Sequence, residues 1–161
     1  MNIWKRIREL SFLHLLRLSG VCLQHPFYVF PTLKATKRTM KICDALYGKL
    51  HHKNNKANAF RHTLWNILIC KEGLKVSEDE EKAITWAKKI TDLHEKLMPN
   101  KPLEKLMDLK NNEAGRGFFK EIKEFSEEKI ISFLKEKAAE AQKIDEDSEV
   151  VTLKNKLVYI D

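Results

Sequence analysis

The sequence contains few of the residues that build fibrous, repeat or disulfide-rich proteins. Its 161 residues include 5 glycines, 4 prolines and 3 cysteines, and no internal period recurs. These features exclude collagen-like and repeat architectures. No apolar run reaches the length of about 18 residues that a membrane-spanning helix needs, so we predict no transmembrane segment. The chain is 43% hydrophobic, which suits one folded core, and we predict a single domain over residues 1–161.

The three cysteines, Cys22, Cys43 and Cys70, lie far apart in the sequence. Their number is odd, no C-x-x-C motif occurs, and each lies in an apolar stretch. This pattern predicts reduced, packed thiols rather than a disulfide framework. Because no clear signal-peptide cleavage site follows the N-terminal segment, we predict a cytoplasmic protein. Association with a membrane, and secretion as an effector without a signal peptide, are the alternatives.

Positive charge is concentrated in the first half of the chain. The net charge is +7, yet residues 1–75 hold 14 basic and 3 acidic side chains, which leaves the second half acidic. A basic half attracts anionic partners, which favours an anionic lipid or a phosphate-containing ligand. Nucleic acid is less favoured, because the lysine-rich segments lack interleaved aromatic residues. The alternative is that the two halves pack together and their charges compensate.

Apolar residues recur at helical spacing through most of the chain, which predicts a mainly α, single-domain bundle of about five helices. Residues 1–31 are predicted to form an amphipathic helix, Met1–Leu18, ended by Gly20, and an aromatic connector, Gln24–Pro31. This connector has to bury Phe27, Tyr28 and Phe30.

The remaining predicted elements follow from capping and turn signals. Helices are expected over Thr32–Leu50, from about Asn58 to Lys71 before Gly73, from a capping box at Ser77 to Met98, and from about Phe118 to Lys143. Glycines and paired asparagines predict a corner over Asn111–Gly117. The last segment, Val150–Ile160, is predicted to be extended with a turn at Lys154-Asn155, which indicates a short C-terminal β-hairpin.

Polar side chains cluster on the predicted helix that begins near Asn58. Asn58, His62 and Asn66 are four residues apart and therefore share one stripe, with Arg61 and Trp65 alongside. The opposite face of this helix is apolar. The stripe is therefore not needed for packing, which makes its residues candidates for a site.

Two further segments add acidic, amide and basic groups. His94 and Glu95 lie on the next predicted helix, and Asp108, Asn112 and Arg116 surround the predicted corner. Histidines buried beside carboxylates are costly unless they satisfy one another or bind something, so a metal or acid–base site is one interpretation. A buried structural network is the other. The H-E-x-x-H zinc motif is absent, so a divalent metal would need ligands from distant segments.

These residues carry a resemblance to a bacterial domain of unknown function. The motifs are N-A-x-R-H-x-x-W-N from Asn58, H-E at His94, and M-D-x-x-N-N-x-x-G-R from Met107. Similar domains occur alone and at the C-terminal ends of polymorphic-toxin chains. The resemblance covers about residues 57–118, the motif-bearing core, and implies that the motif residues His62, His94, Glu95, Asp108, Asn112 and Arg116 form one site.

A looser similarity connects Arg61-His62-x-x-Trp65 with the R-H-D-x-x-Y helix of bacterial phospholipase A2. In that helix the histidine activates water and the following aspartate helps to hold calcium. Thr63 stands where that aspartate would be. The departure argues against calcium-dependent lipase chemistry.

The leading functional hypothesis is a hydrolase-like enzyme, related to toxins, that acts on a phosphate- or ester-containing substrate. His62 would be the general base, oriented by Asp108 or Glu95, while Arg116 stabilises negative charge. The amides Asn58, Asn66 and Asn112 are the candidate substrate-binding residues, and His94 completes the catalytic set.

The alternatives are a non-catalytic helical binding protein with a buried polar network, and a protein that lies on a membrane surface. An open cavity lined by His62, His94 and Asp108 would favour the enzyme, because a structural network should be sealed. The enzyme hypothesis predicts that His62→Ala abolishes activity and leaves the protein folded.

Overall fold

The computed structural model describes residues 19–146, 153 and 155–161. Over these residues the fold is mainly α, as the sequence predicts. The elements are α1 (Pro26–Tyr47), a 3-10 turn (Leu50–His52), α2 (Lys56–Ser77), α3 (Glu80–Leu97), α4 (Pro102–Ile122), α5 (Glu127–Ala139), β1 (Gln142–Lys143) and β2 (Val158–Tyr159). Residues 19–24 are also helical, so Gly20 does not end a helix. The predicted helix Met1–Leu18 lies outside the described residues.

The central helix of the bundle is α2. It packs against α1, α3, α4 and α5, so both its apolar and its polar faces are covered. Phe60, Leu64 and Ile67 are fully buried, and so is Asn66, while His62 is 3% exposed. Because buried polar side chains require partners, the neighbouring helices have to supply hydrogen-bonding groups to α2.

Helices α2 and α4 cross at Gly115, where their backbones come unusually close. A Cβ added at Gly115 would lie 2.5 Å from the carbonyl oxygen of Thr63 and 2.9 Å from Cβ of Asn66. The predicted corner over Asn111–Gly117 is wrong, since the whole segment lies inside α4. Here glycine permits a close helix–helix approach rather than a turn.

The predicted aromatic connector is also wrong in its conformation. Most of Gln24–Pro31 belongs to α1, which begins at Pro26 and continues through Pro31. A proline in the first turn favours a helix start, because the nitrogen there has no intrahelical partner to lose. Pro31 removes one backbone hydrogen bond from the helix but does not end it.

Two of the three aromatic residues expected to be buried by this segment face outward. Phe27 is 80% exposed and Phe30 is 74% exposed. Tyr28 faces inward and stacks on Trp86, with ring centroids 4.9 Å apart. A helix places successive side chains on different faces, so a continuous aromatic run cannot be buried together.

Two helix boundaries differ from those expected. Gly73 does not stop α2, because it is buried where the helix passes Ala83, 3.6 Å from the position of an added Cβ. The cap of α3 is Asp79, whose side chain accepts a hydrogen bond from the backbone nitrogen of Lys82 at 3.0 Å. Ser77 is instead the last residue of α2.

The last predicted helix divides into two elements. Phe118 belongs to α4, which ends at Ile122, and α5 begins only after Ser126. The side chain of Ser126 accepts a hydrogen bond from the backbone nitrogen of Lys129, which gives α5 its own N-cap. The chain therefore turns at residues 123–126, and α5 ends at Ala139 rather than Lys143.

The described strands form a parallel pair, and the predicted hairpin over Val150–Ile160 lies partly outside the described residues. Gln142 pairs with Val158 and Lys143 with Tyr159. The side chain of Asn111 holds β2 in place: Nδ2 donates to the carbonyl of Val158, and the Val158 nitrogen donates to Oδ1, both at 2.9 Å. An amide on α4 thus supplies the hydrogen bonds that a neighbouring strand would otherwise provide.

The three cysteines are free, in agreement with the prediction. Burial raises the pKa of the Cys43 and Cys70 thiols to about 12, so both are packed as uncharged side chains. Within the described part of the chain, no helix combines the length and the apolar character that crossing a membrane requires.

Candidate functional site

The site is built around His62, in the second turn of α2. This helix begins at an Asn55 cap, whose side chain accepts hydrogen bonds from the backbone nitrogens of Ala57 and Asn58 at 3.0 and 3.2 Å. The cap fixes the start of the helix, and the four-residue spacing then directs Asn58, His62 and Asn66 along one stripe. Helices α3 and α4 face this stripe with acidic and amide groups.

A chain of side-chain hydrogen bonds determines the tautomer of His62. The Asn112 amide nitrogen donates to Glu95 Oε1 at 3.0 Å, because a carboxylate accepts. Asn112 Oδ1 therefore faces His62, and it accepts from His62 Nδ1 at 3.1 Å. With its proton on Nδ1, the imidazole has its lone pair on Nε2.

The Nε2 edge of the ring faces charged groups. Arg61 Nη2 lies 2.7 Å from His62 Nε2, and Asp108 Oδ1 lies 3.2 Å from the same nitrogen. Arg61 also donates from Nη1 to the carbonyl of His51 at 2.7 Å, which anchors the guanidinium beside the site. The two edges of the imidazole thus meet different groups: the Asn112 amide at Nδ1, with Glu95 Oε1 3.6 Å from that nitrogen, and an arginine with a carboxyl group at Nε2.

Behind the Asn112 amide lies a second layer of buried polar groups. Asn66 Nδ2 donates to Asn112 Oδ1 at 2.7 Å, and Arg116 Nη1 donates to Asn66 Oδ1 at 2.9 Å and to Thr91 Oγ1 at 3.3 Å. Arg116 is 8% exposed, and Asn66, Thr91 and Asn112 are fully buried. These groups satisfy one another, as a sealed network should.

The two carboxyl groups of the site are buried close together, which changes their acidity. Burial, reinforced by the nearby charge of Asp108, raises the pKa of Glu95 to about 8. Burial also raises the pKa of Asp108 to about 7. Both groups therefore hold protons close to neutral pH, which is the range that acid–base catalysis uses.

One oxygen of each carboxyl group lacks a hydrogen-bond donor among the described residues, namely Glu95 Oε2 and Asp108 Oδ1. A proton on Asp108 Oδ1 would give this oxygen a partner in His62 Nε2, 3.2 Å away, where it would share the single lone pair with Arg61 Nη2. A cation is the other way to satisfy buried carboxylate oxygens. His62, Glu95 and Asp108 each offer a ligand atom, and these atoms lie within 4.8 Å of one another.

Two cavities open beside the histidine. The smaller, about 100 Å³, is polar, and Asn58, Arg61, His62, His94 and Asp108 contribute to its lining. The larger, about 410 Å³, is bounded by the same Arg61, His62 and His94, together with the side chains Thr36, Lys37, Thr39, Met40, Lys41, Asp44 and Trp65. The three shared residues lie where the two cavities meet.

His94 lies in contact with an aromatic side chain. Its ring meets the Trp65 ring edge to face, with centroids 5.1 Å apart, and the same Trp65 ring lies 6.4 Å from that of His62. Trp65 Nε1 donates to Thr36 Oγ1 at 2.9 Å, which fixes the indole between α1 and α2. The two histidines therefore border one cavity from neighbouring helices, α2 and α3.

The predicted site residues divide into two groups. Asn58, His62, His94 and Asp108 line the small cavity. The others, Asn66, Glu95, Asn112 and Arg116, are buried beneath it and border neither of the two cavities. The structure thus brings all eight into one region, but only half of them face the open space.

Sequence reasoning gave no role to three residues that the structure makes important. Arg61 was seen only as a neighbour of His62, although its guanidinium reaches the cavity. Thr91 has no sequence signal, because a single threonine in a helix is usually exposed. Asn111 belongs to the N-N pair of the third motif, but the sequence assigns it only to the predicted corner. The adjacency of Arg61 and His62 is the one local clue that identifies the arginine.

The comparisons with known proteins establish a family but no activity. The chain matches the family described as a domain of unknown function (DUF6973) over residues 19–142. It belongs to that family. The match extends well beyond the predicted motif-bearing core, 57–118, and spans α1 to β1. Neither a curated protein nor a solved structure matches the chain significantly.

Proposed function

We propose that the protein is a hydrolase that cleaves an ester or phosphoester bond, with His62 as the general base. The observation that carries this proposal is the orientation of the imidazole. Its Nδ1 proton is held by Asn112, so the basic Nε2 faces the side where Arg61, Asp108 and the polar cavity lie. A base whose tautomer is fixed by a buried partner is the usual arrangement for proton transfer.

In this proposal the catalytic steps follow from the lining of the small cavity. A water molecule bound there would displace Arg61 Nη2 from His62 Nε2 and transfer a proton to this nitrogen as its oxygen attacks the carbonyl or phosphoryl centre. Arg61 would stabilise the negative charge that develops on the substrate. The bond to the leaving alkoxide then breaks, and the alkoxide receives the proton from His62 or from Asp108.

The roles of the remaining residues are supporting. Asn112 and Glu95 hold the imidazole, and Asn58, which borders the cavity, would position water or substrate. Arg116 was expected to stabilise charge at the reacting centre, but its hydrogen bonds to Asn66 and Thr91 support a structural role. We therefore assign the charge-stabilising role to Arg61.

The experiment uses the full chain and chromogenic substrates of three classes: p-nitrophenyl butyrate, p-nitrophenyl phosphate and bis-p-nitrophenyl phosphate. Hydrolysis of one of them by the wild type, lost in His62→Ala and kept in His25→Ala, would support the proposal. His25 is a suitable control because it contacts Tyr28 and Trp86, on another part of the bundle. Equal hydrolysis by wild type and His62→Ala would contradict it.

A second candidate is metal-assisted hydrolysis, favoured by the two carboxyl oxygens without donors. His62, Glu95 and Asp108 offer one nitrogen and two oxygen ligands, a set that suits Zn²⁺ or Mn²⁺. Titration calorimetry with each ion, compared with Asp108→Asn, tests this candidate. Binding that requires Asp108, with activity restored by the ion after chelation, would favour it over the metal-free mechanism.

The resemblance to C-terminal toxin domains adds a biological hypothesis, that the hydrolase acts as a bacterial effector. Induced expression of the wild type should then slow growth, and His62→Ala should not. The non-catalytic binding protein is the remaining alternative, supported by the sealed layer around Asn66 and Arg116. It predicts no hydrolysis and no effect of His62→Ala on growth. The cytoplasmic location stays a prediction.

A further inference from the structure

The outward face of α1 and of the helical segment before it carries one continuous stripe of exposed side chains. We call it the outer stripe. It begins apolar, with Leu23, Phe27 and Phe30 being 81%, 80% and 74% exposed and Leu33 being 44% exposed. It continues with basic side chains, all exposed: Lys34, Lys37, Arg38 and Lys41. From Phe27 onward the spacing of three and four residues places these side chains along one line of the helix.

The charge of the outer stripe is of one sign. No acidic residue occurs in α1 before Asp44. Lys34 pairs with Glu72 at 3.1 Å, and Arg38 pairs with Glu127. For Lys37 and Lys41, the described part of the chain provides no ion-pair partner.

The apolar end of the stripe is too large and too aromatic for an ordinary exposed surface. Phe27 and Phe30 lie one turn apart, and Phe30 and Leu33 also border a shallow cavity of about 530 Å³ beside Lys37 and Lys41. Neighbouring exposed apolar side chains of this size usually mark a surface that binds a protein or a membrane. The adjoining lysines decide which of these fits.

We propose that the outer stripe docks the protein onto an anionic lipid bilayer. Aromatic side chains at the end of a helix enter the interface between headgroups and acyl chains, while adjoining lysines neutralise anionic headgroups. A second copy of this chain would instead bring further basic residues to the same surface. The proposal does not depend on the hydrolase activity.

The geometry gives the docked orientation a consequence for the site. Lys37 and Lys41, in the basic part of the outer stripe, also border the 410 Å³ cavity that reaches His62. Docking through the stripe therefore places the entrance of this cavity beside the lipid headgroups. A ligand with an apolar chain and an anionic group would pass directly from the bilayer to the cavity.

The test is sedimentation of the full chain with two kinds of vesicle. One contains phosphatidylcholine alone, and the other contains phosphatidylcholine with roughly 30% phosphatidylserine, which gives an anionic surface. We expect binding to the anionic vesicles only, weakened by salt. The double variant Phe27→Ser/Phe30→Ser should lower the partition coefficient about tenfold or more. Lys37→Gln/Lys41→Gln should lower it by a similar factor and reduce the salt dependence.

The controls are chosen from other surfaces of the bundle. Leu106→Ser/Phe125→Ser removes two other exposed apolar side chains, 38% and 37% exposed, and Lys129→Gln/Lys135→Gln removes two exposed charges from α5. Neither pair should change the partition coefficient more than about twofold.

Three results would overturn the proposal. The first is equal binding to neutral and anionic vesicles, and the second is binding that the stripe variants leave unchanged. The third is a change in the melting temperature or the oligomeric state of the variant when no vesicles are present. If Phe27→Ser/Phe30→Ser lowers the melting temperature, the stripe packs against this chain; if it converts a dimer to a monomer, the stripe is a contact between copies.

Discussion

The two edges of the His62 ring show how one side chain joins a rigid network to an open cavity. The Nδ1 edge meets Asn112, and behind it the neutral amide of Asn66. The Nε2 edge meets Arg61 and Asp108. The Asn112 amide does not titrate, so the first edge keeps its hydrogen-bond acceptor at every physiological pH. The carboxyl groups near the two edges, Glu95 at 3.6 Å from Nδ1 and Asp108 at Nε2, change their charge near neutrality.

This difference teaches that burial serves two purposes in one cluster. The network beneath the ring uses burial to fix orientation, since each of its hydrogen bonds is protected from water. At the cavity edge, burial raises the pKa of a carboxyl group into a useful range. Substitutions at the cavity edge should therefore lower activity most, whereas substitutions in the network should lower stability most.

The largest expected effect is on activity, at the cavity edge. His62→Ala should lower the rate of hydrolysis by a factor of about 10² to 10⁴, because the general base is lost. The variant should stay folded but lose about 1–3 kcal/mol of stability, because the buried ring also pairs with Arg61 and Asp108, while Asn112 Oδ1 keeps the hydrogen bond from Asn66. Steady-state kinetics and urea denaturation of the same preparation measure both. An unfolded or fully active variant would break the distinction between the edges.

The next effect is on stability, at the network edge. Asn112→Ala removes the partner of His62 Nδ1, Asn66 Nδ2 and Glu95 Oε1 at once. Because buried unpaired groups are costly, the free energy of unfolding should fall by about 2–4 kcal/mol. Asn100→Ala is the control: it is an exposed residue that makes one bond, to Asp108 Oδ2 at 3.1 Å. If Asn112→Ala lowers the free energy of unfolding as little as Asn100→Ala does, the network is not sealed.

The third effect concerns the crossing of α2 and α4, which supports both edges of the His62 ring. We expect a loss of stability of about 1–3 kcal/mol there. Gly115→Ala would place a Cβ 2.5 Å from a backbone oxygen of α2, which has to shift. Gly117→Ala meets only the end of the Asn155 side chain, so its effect should be smaller. Thermal denaturation compares the two variants. Equal melting temperatures would mean that the crossing is not tightly packed.

The smallest effect concerns pH. The pKa of Asp108 is raised to about 7 and that of Glu95 to about 8, whereas both lie near 4 in an unfolded chain. The folded state therefore holds protons that the unfolded state releases, so this contribution to stability is present below about pH 4 and is lost as the pH rises through 7 and 8.

Asp108→Asn replaces the titrating carboxyl group with an amide. Comparing this variant with the wild type therefore isolates the contribution of Asp108 to the pH dependence. Its stability relative to the wild type should increase between pH 6 and pH 7 by about 1 kcal/mol. Urea denaturation at both pH values measures the change, with Ser132→Ala, at an exposed position of α5, as the variant that should not alter the slope. A difference that stays constant with pH would mean that Asp108 titrates normally in the folded protein.

Much of the site was predictable because it depends on helical spacing. Asn58, His62 and Asn66 share a stripe in any α-helix, and the prediction that His62 and His94 lie on neighbouring helices follows from their periodicity. The division between cavity and network was not predictable. It depends on how closely α4 packs against α2, and Gly115 is where the two backbones come closest to each other's side chains.

The sequence by itself determined a mainly α domain, the positions of most helical segments and the polar stripe of α2, because apolar periodicity and local spacing act over a few residues. Only the tertiary structure decided that Asn111–Gly117 is helical, that Asn112 pairs with His62 Nδ1, and that Phe27 and Phe30 face outward. Each of these depends on contacts between residues far apart in the chain, such as the approach of Gly115 to Thr63. Local propensity contains no information about such contacts, and tertiary packing overrides it.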